Sequence, residues 1–161
     1  MFCIKVNIDA ALLSNNSAGI GGVFRDNKGR FLLAFGFKCT HWDISLLELM
    51  AVWALKKVIQ DWIFEYNGLI IEGDNVNIIK ILQRAWKEFK NNKLMEEDLA
   101  FLMEFNQISF NFAGRSCNKL AHLCANFALH GYFIWEYFSS MNIPTSFMSL
   151  LKKECDAIEL L

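Results

Sequence analysis

The sequence predicts one mixed α/β domain, a five-stranded sheet flanked by helices, with elements in the order β-β-β-α-β-α-α-β-α. Three observations carry that prediction. The opening segment alternates in hydrophobicity with period two and is punctuated by tight-turn residues. Stretches of helical period then alternate with short apolar runs. The length, 161 residues with 54% hydrophobic, suits a single core, and no repeat or low-complexity tract interrupts it. Residues 1–131 form the predicted domain, and residues 132–161 a tail that packs on the same domain or on a partner.

In the first strand Ile4, Val6 and Ile8 alternate with Lys5, Asn7 and Asp9, and the strand is predicted to end at Asp9. Ser17–Arg25 and Arg30–Phe37 read as two more strands, joined by Asp26-Asn27-Lys28-Gly29, residues that tolerate the conformations of a tight hairpin. From Asp43 to about Trp62 the apolar spacing becomes helical, with Lys56, Lys57, Gln60 and Asp61 gathered late. Gly68–Gly73 is a short apolar strand, and a helix from Asn75 to about Lys87 begins directly after Asp74. Leu94 to about Phe105 reads as a helix, Ile108–Phe112 as a strand, and Cys117–Leu129 as a last helix.

Composition narrows the function. A formal net charge of −1 excludes a basic nucleic-acid binder working by bulk phosphate attraction, so any such contact is local. The cysteines Cys3, Cys39, Cys117, Cys124 and Cys155 are odd in number and form no CxxC pair, which fits reduced thiols better than a disulfide framework or a zinc knuckle. MFCIKVNID has neither the apolar run nor the cleavage site of a signal peptide, pointing to nucleus or cytoplasm. The uncharged run from Leu120 to Trp135 is too short for a comfortable membrane span. The surplus of Phe and Trp leaves apolar surface in the tail for homo-oligomerisation or for the domain itself. GIGG at Gly19–Gly22 is no nucleotide loop, because no Gly-Lys-Ser/Thr follows and a strand succeeds it. Gly21 and Gly22 instead mark either close approach of a sugar–phosphate backbone or a bulge. RAWKEFKNNK at Arg84–Lys93 has the composition of a nucleic-acid handle, but a solvated helix end offset by Glu96, Glu97 and Asp98 is favoured.

Three acids carry the chemistry. Glu48 shares a helix face with Ile44, Ala51, Val52 and Leu55, where a carboxylate must be paired, metal-bound or protonated. Asp9 and Asp74 sit at the carboxyl ends of strands, where ligands collect in open sheets. Each has a plain alternative: Asp74 as a helix N-cap, Asp9 as a strand end, Glu48 as the partner of a buried cation. Together they make an oxygen-rich nest suited to a hard divalent cation and to phosphodiester hydrolysis with two close metals. His122 falls with Asn118 and Asn126 on the polar face of the last helix, which taken alone describes a solvated histidine.

KVNIDAA, GIGGVFRDNKGRFLLAFG, LLELMAVWALKKVI, IIEGDN and GRSCNKLAHLCANFAL, in that order and spacing, resemble the plant-type, reverse-transcriptase-related ribonuclease H-like family over nearly the whole chain. The resemblance implies a ribonuclease H-like fold and a nuclease that cuts the RNA strand of an RNA–DNA hybrid. It implies magnesium, with manganese acceptable, at Asp9, Glu48 and Asp74. His122 occupies the fourth catalytic position, where the family carries Asp or His. Imidazole there weakens a second magnesium site and suits manganese better. Arg115 and Asn118 match nucleic-acid-binding positions of the plant-type pattern. Ala10 stands where the family has Gly, adding a side chain beside the substrate, and Asn111–Cys117 lacks the mobile histidine of bacterial relatives, so slow turnover is implied. Two readings follow: a hybrid-specific endoribonuclease, or a retroelement-derived module of impaired catalysis that binds nucleic acid or protein.

Overall fold

The computed structural model describes residues 2–92, 97–137 and 142–159. Lys93 and Leu94–Glu96, which the sequence reading drew on, lie outside the described residues, as does the side chain of Cys155. The chain runs β1 (Cys3–Leu12), β2 (Ser17–Arg25), β3 (Phe31–Thr40), α1 (Ile44–Val58), β4 (Gly68–Gly73), α2 (Val76–Asn92), β5 (Gln107–Phe112), α3 (Lys119–Ala128), β6 (Phe133–Glu136) and α4 (Thr145–Glu159). Short 3-10 helices at Asp61–Glu65, Glu97–Glu104 and Arg115–Cys117 link them. Strand order is β5-β4-β1-β2-β3-β6, with β1–β4 and β4–β5 parallel and the remaining pairs antiparallel. No described helix is long and apolar enough to cross a membrane.

The mixed sheet is as predicted, but it has six strands. The sixth comes from the tail: β6 pairs with β3 from Leu33↔Glu136 to Gly36↔Phe133, covering what would be an open edge. Part of the tail's apolar surface packs on its own domain, while Tyr132, Tyr137 and Met148 stay exposed. Phe147 and Leu151 of α4 join Val23, Phe31, Ala34, Leu120 and Cys124 in a core on the α3 face of the sheet, and Trp135 lies 5.5 Å from the Phe147 ring. The larger core fills the other face, where Val6, Ile8, Phe24 and Phe35 meet Leu47, Val52 and Leu55 of α1 and Leu82 and Trp86 of α2. Trp86 also packs on Phe89, so the aromatics of the Arg84–Lys93 stretch point into the core rather than to a ligand.

Two of the shifted element bounds and one change of helix type have clear physical reasons. β1 continues past Asp9 to Leu12 because its two ladders end at different places: the parallel pairing with β4 stops at Asn7↔Glu72, whereas the antiparallel one with β2 runs on to Leu12↔Ala18. α1 stops at Val58, where Ile59 and Gln60 turn extended and let the next 3-10 turn insert Ile63 into the core. The helix expected up to Phe105 is 3-10 over its described part. Leu99, Leu102 and Phe105 are all buried at three-residue spacing, which matches three residues per turn.

The glycines of β2 explain how tightly α3 sits. A Cβ at Gly19 would lie 2.3 Å from the Ala125 carbonyl oxygen, and one at Gly21 would lie 2.8 Å from the Ala125 nitrogen. At Gly22, on the opposite face, it would meet the Asn7 oxygen and the Phe35 ring, each at 2.7 Å. Gly21 and Gly22, expected at a nucleic-acid surface, are therefore corrected to buried packing positions, because the close approach they permit is to α3 and to Phe35. Gly19→Ala must displace helix backbone, and overpacking of this kind costs about 1–3 kcal/mol. The expected result is a urea midpoint well below the parent's, with Gly114→Ala, which meets no atom within 4 Å, as the mild control.

Candidate active site

The sheet's topology brings the three acids together. Asp9 lies two residues beyond Asn7, the last parallel-paired residue of β1, opposite Gly21 on β2. Glu48 projects from α1, whose start is pinned by Asp43 accepting from the Ser45 and Leu46 amides at 2.9 and 3.4 Å. Asp74 follows β4 directly. One oxygen of each carboxylate lies within 4.8 Å of the others. Asp74 is not the helix cap that its position suggested. Asn75 takes that role, accepting from the Asn77 and Ile78 amides at 3.1 and 3.3 Å, and so leaves the Asp74 carboxylate to the cluster.

Asp9 is 5% exposed and held at both oxygens. Oδ1 accepts the Ala10 amide at 2.9 Å, and Oδ2 lies 2.9 Å from Nδ1 of His122. The His122 side chain is 64% exposed, so it is both the solvent-facing residue its spacing predicted and the partner of a buried acid. In neutral imidazole, donation from Nδ1 to an ionised Asp9 leaves the Nε2 lone pair free. Burial pushes the Asp9 carboxyl above its usual range and nearby Asp74 adds to this, against the Ala10 and His122 hydrogen bonds. Glu48 is pushed up to about 7, chiefly by burial, with a hydrogen bond from Asn75 opposing and the charges of Asp9 and Asp74 adding. Among the described residues its buried Oε2 has no hydrogen-bond partner.

These acids line one side of a cavity of about 530 Å³ whose other walls include Ala10, Ile44, Arg115, Lys119, His122, Leu123 and Leu150. Arg115 was singled out from sequence; Lys119 was missed, although it stands three residues before His122 and so on the same helix face. Leu150 was also missed, since nothing in its local pattern points to a site more than a hundred residues away in β1. Asn118, expected to touch nucleic acid, is corrected to an internal anchor: it is 1% exposed, donates to the Ile8 carbonyl at 2.9 Å and accepts from Asn7 at 3.1 Å. The donor set and the orphaned, buried Glu48 oxygen fit a divalent cation, because such an atom needs either a proton or a positive charge.

The family model described as reverse transcriptase-like matches residues 7–128. Among solved structures, RNase H1 from the halophilic archaeon Halobacterium salinarum NRC-1 is similar with a TM-score of 0.63 at 22% identity, over 80% of this chain and 98% of that one. The N-terminal RNase H domain of a Mycobacterium tuberculosis protein gives 0.57 at 16% identity, over 81% and 95%. LC11-RNase H1, solved in complex with an RNA/DNA hybrid, gives 0.55 at 21% identity, over 79% and 96%. At these identities the structural likeness establishes the fold. No curated protein is significantly similar in sequence.

Glu48 links the site to stability. Its folded value of about 7 lies above the ordinary 4.5, so between those values the folded chain holds a proton that the unfolded chain has lost. This contribution to stability is full below about pH 4.5 and is lost as pH rises through about 7; Asp9, also raised, acts with the same sign. With chelator present, urea midpoints measured from pH 5 to 8 should therefore fall less in Glu48→Gln than in the parent. At pH 8 the variant should melt higher, by about 2–4 °C for each kcal/mol of relieved repulsion.

Proposed function

The chain belongs to the reverse transcriptase-like family of ribonuclease H-like domains, and from that premise we propose that it is a divalent-metal-dependent endoribonuclease acting on the RNA strand of RNA–DNA hybrids. The observation that carries this reading is the convergence of Asp9, Glu48 and Asp74 around an unpartnered, buried carboxylate oxygen. The hybrid bound in the LC11-RNase H1 structure supports the substrate class.

Asp9, Glu48 and Asp74 would hold the cation, magnesium by the all-oxygen donor set, with manganese favoured where imidazole takes part. When bound, the cation supplies an ionised water at neutral pH and neutralises charge on the leaving oxygen of the phosphodiester. The chain's own residues do the rest. The Ala10 amide and His122 fix both Asp9 oxygens, so the carboxylate is oriented before substrate arrives. Arg115 and Lys119 put positive charge on the wall shared with the acids, where a phosphate would otherwise be repelled. That local charge answers the near-neutral chain as a whole. Ala10, 7% exposed, lines the cavity and narrows it by one methyl relative to glycine.

One observation favours a second reading, a module that binds nucleic acid with impaired catalysis. His122 already occupies Asp9 Oδ2, and it stands where a fourth carboxylate would strengthen a second cation site. Cleavage of a labelled RNA–DNA hybrid in magnesium and in manganese separates the two. For the nuclease, Asp9→Asn should abolish cleavage in both metals, and His122→Asp should relieve a preference for manganese. A parent silent in both metals that gains activity on His122→Asp establishes the impaired module. Silence of both proteins together with absent hybrid binding would sink the nuclease reading.

A further inference from the structure

Beneath the start of α3 lies a chain of buried polar groups that the cation site does not use. Asn7 and Asn118 are each 1% exposed, and the side chains of Arg25 and Glu154 are 12% and 20% exposed. The hydrogen bonds leave little freedom. Asn118 must turn its Nδ2 to the Ile8 carbonyl, 2.9 Å away, which leaves its Oδ1 facing Asn7. Asn7 must then present Nδ2 to that oxygen, at 3.1 Å, while the same group also reaches Glu72 at 3.2 Å. Its own Oδ1 is left needing a donor, and Arg25 Nη2 supplies one at 3.0 Å. The guanidinium brought in for that purpose needs an anion, and Glu154 of α4 hydrogen-bonds its Nη1. At the other end of the chain, the Asn118 carbonyl accepts the backbone amide of His122 at 3.0 Å, and His122 bonds Asp9.

From this sequence of contacts we propose that Arg25 and Glu154 are positioning residues for the His122–Asp9 pair, which makes the C-terminal helix α4 part of the candidate active site. The proposal rests on the functional reading above for its meaning, not for its geometry. Two further facts support it. Leu150, one turn before Glu154, lines the cavity with the acids, so a single face of α4 serves both contacts. The Arg25–Glu154 pair is only partly withdrawn from water, and such a pair adds little stability, so its place at the end of a hydrogen-bond chain leading to His122 points to a role in fixing geometry. Without Arg25 the buried Asn7 Oδ1 loses its donor, a cost the side chain can relieve only by shifting away from Asn118, loosening the residue from which α3 starts.

Replacing Arg25→Met together with Glu154→Leu keeps the volume apolar and the fold's stability close to the parent's, while removing the donor to Asn7. Proton–nitrogen correlation spectra of the imidazoles, recorded without metal, then report on His122. The parent should show a single tautomer protonated at Nδ1, and the double variant a mixture of both. Manganese affinity by calorimetry should fall about 10-fold, as expected for partners that orient a ligand from behind. If the double variant fails to fold, Arg25→Lys, which lacks the fork needed to bridge Asn7 and Glu154, gives the same decision. A parent-like His122 spectrum and manganese affinity in a folded variant overturn the proposal. A parent that binds no manganese would instead count against the metal-centre reading, with the His122 spectrum still deciding the positioning.

Discussion

The site depends on how closely α3 can approach β2. Helix backbone rests on Gly19 and Gly21 at distances that a single Cβ would block. That seat brings His122 within 2.9 Å of an acid in the neighbouring strand. Gly36 extends the same trough on β3, where a Cβ would meet the Phe133 ring at 2.2 Å and Ala128 at 2.9 Å. A conformationally free residue in a strand weakens it. Here the weakness is offset by a second core of Val23, Ala34, Leu120, Cys124 and Phe147, which the close seat makes possible.

Covering both faces of the sheet has an electrostatic consequence. The polar half of β1, which an open antiparallel strand would show to water, is instead enclosed, so Asn7 and Asp9 are buried along with Val6 and Ile8. The two residues resolve that situation differently. Asn7 has its hydrogen-bonding capacity met by Arg25, Asn118 and Glu72. The carboxylates of Asp9, Glu48 and Asp74 crowd together, and Glu48 keeps an oxygen without a partner. Mutual repulsion and burial work against the folded state, a strain characteristic of sites built to hold something else.

The tail changes the meaning of the domain boundary. The matched family region ends at residue 128, yet β6 adds a further edge strand after it and α4 reaches back to both the cavity and Arg25. A site formed from β1, α1, β4 and α3 thus has a wall contributed from beyond them. The aromatic contacts of Trp135 with Phe127 and Phe147, at 5.7 and 5.5 Å, hold that wall against the sheet.

Most strands and helices were legible in the sequence because period and turn chemistry are local: β2 and β4 fall on their predicted bounds, Glu48 stood out as a carboxylate in apolar company, and Asp9 and Asp74 as acids at strand ends. What stayed hidden depends on partners remote in sequence. Whether Asp74 or Asn75 caps α2 is settled by which of two adjacent side chains the cluster draws away. Whether Gly21 and Asn118 face a ligand or the interior depends on where α3 comes to rest. His122 and Asp9 are 113 residues apart, and no spacing rule reaches that far. The sequence by itself determined most of the elements up to residue 131 and which groups have the chemistry to bind a cation, but not β6 or α4. Tertiary structure alone decided which groups meet, which are buried, and what each is bonded to, because desolvation and hydrogen-bond geometry exist only once distant elements have packed.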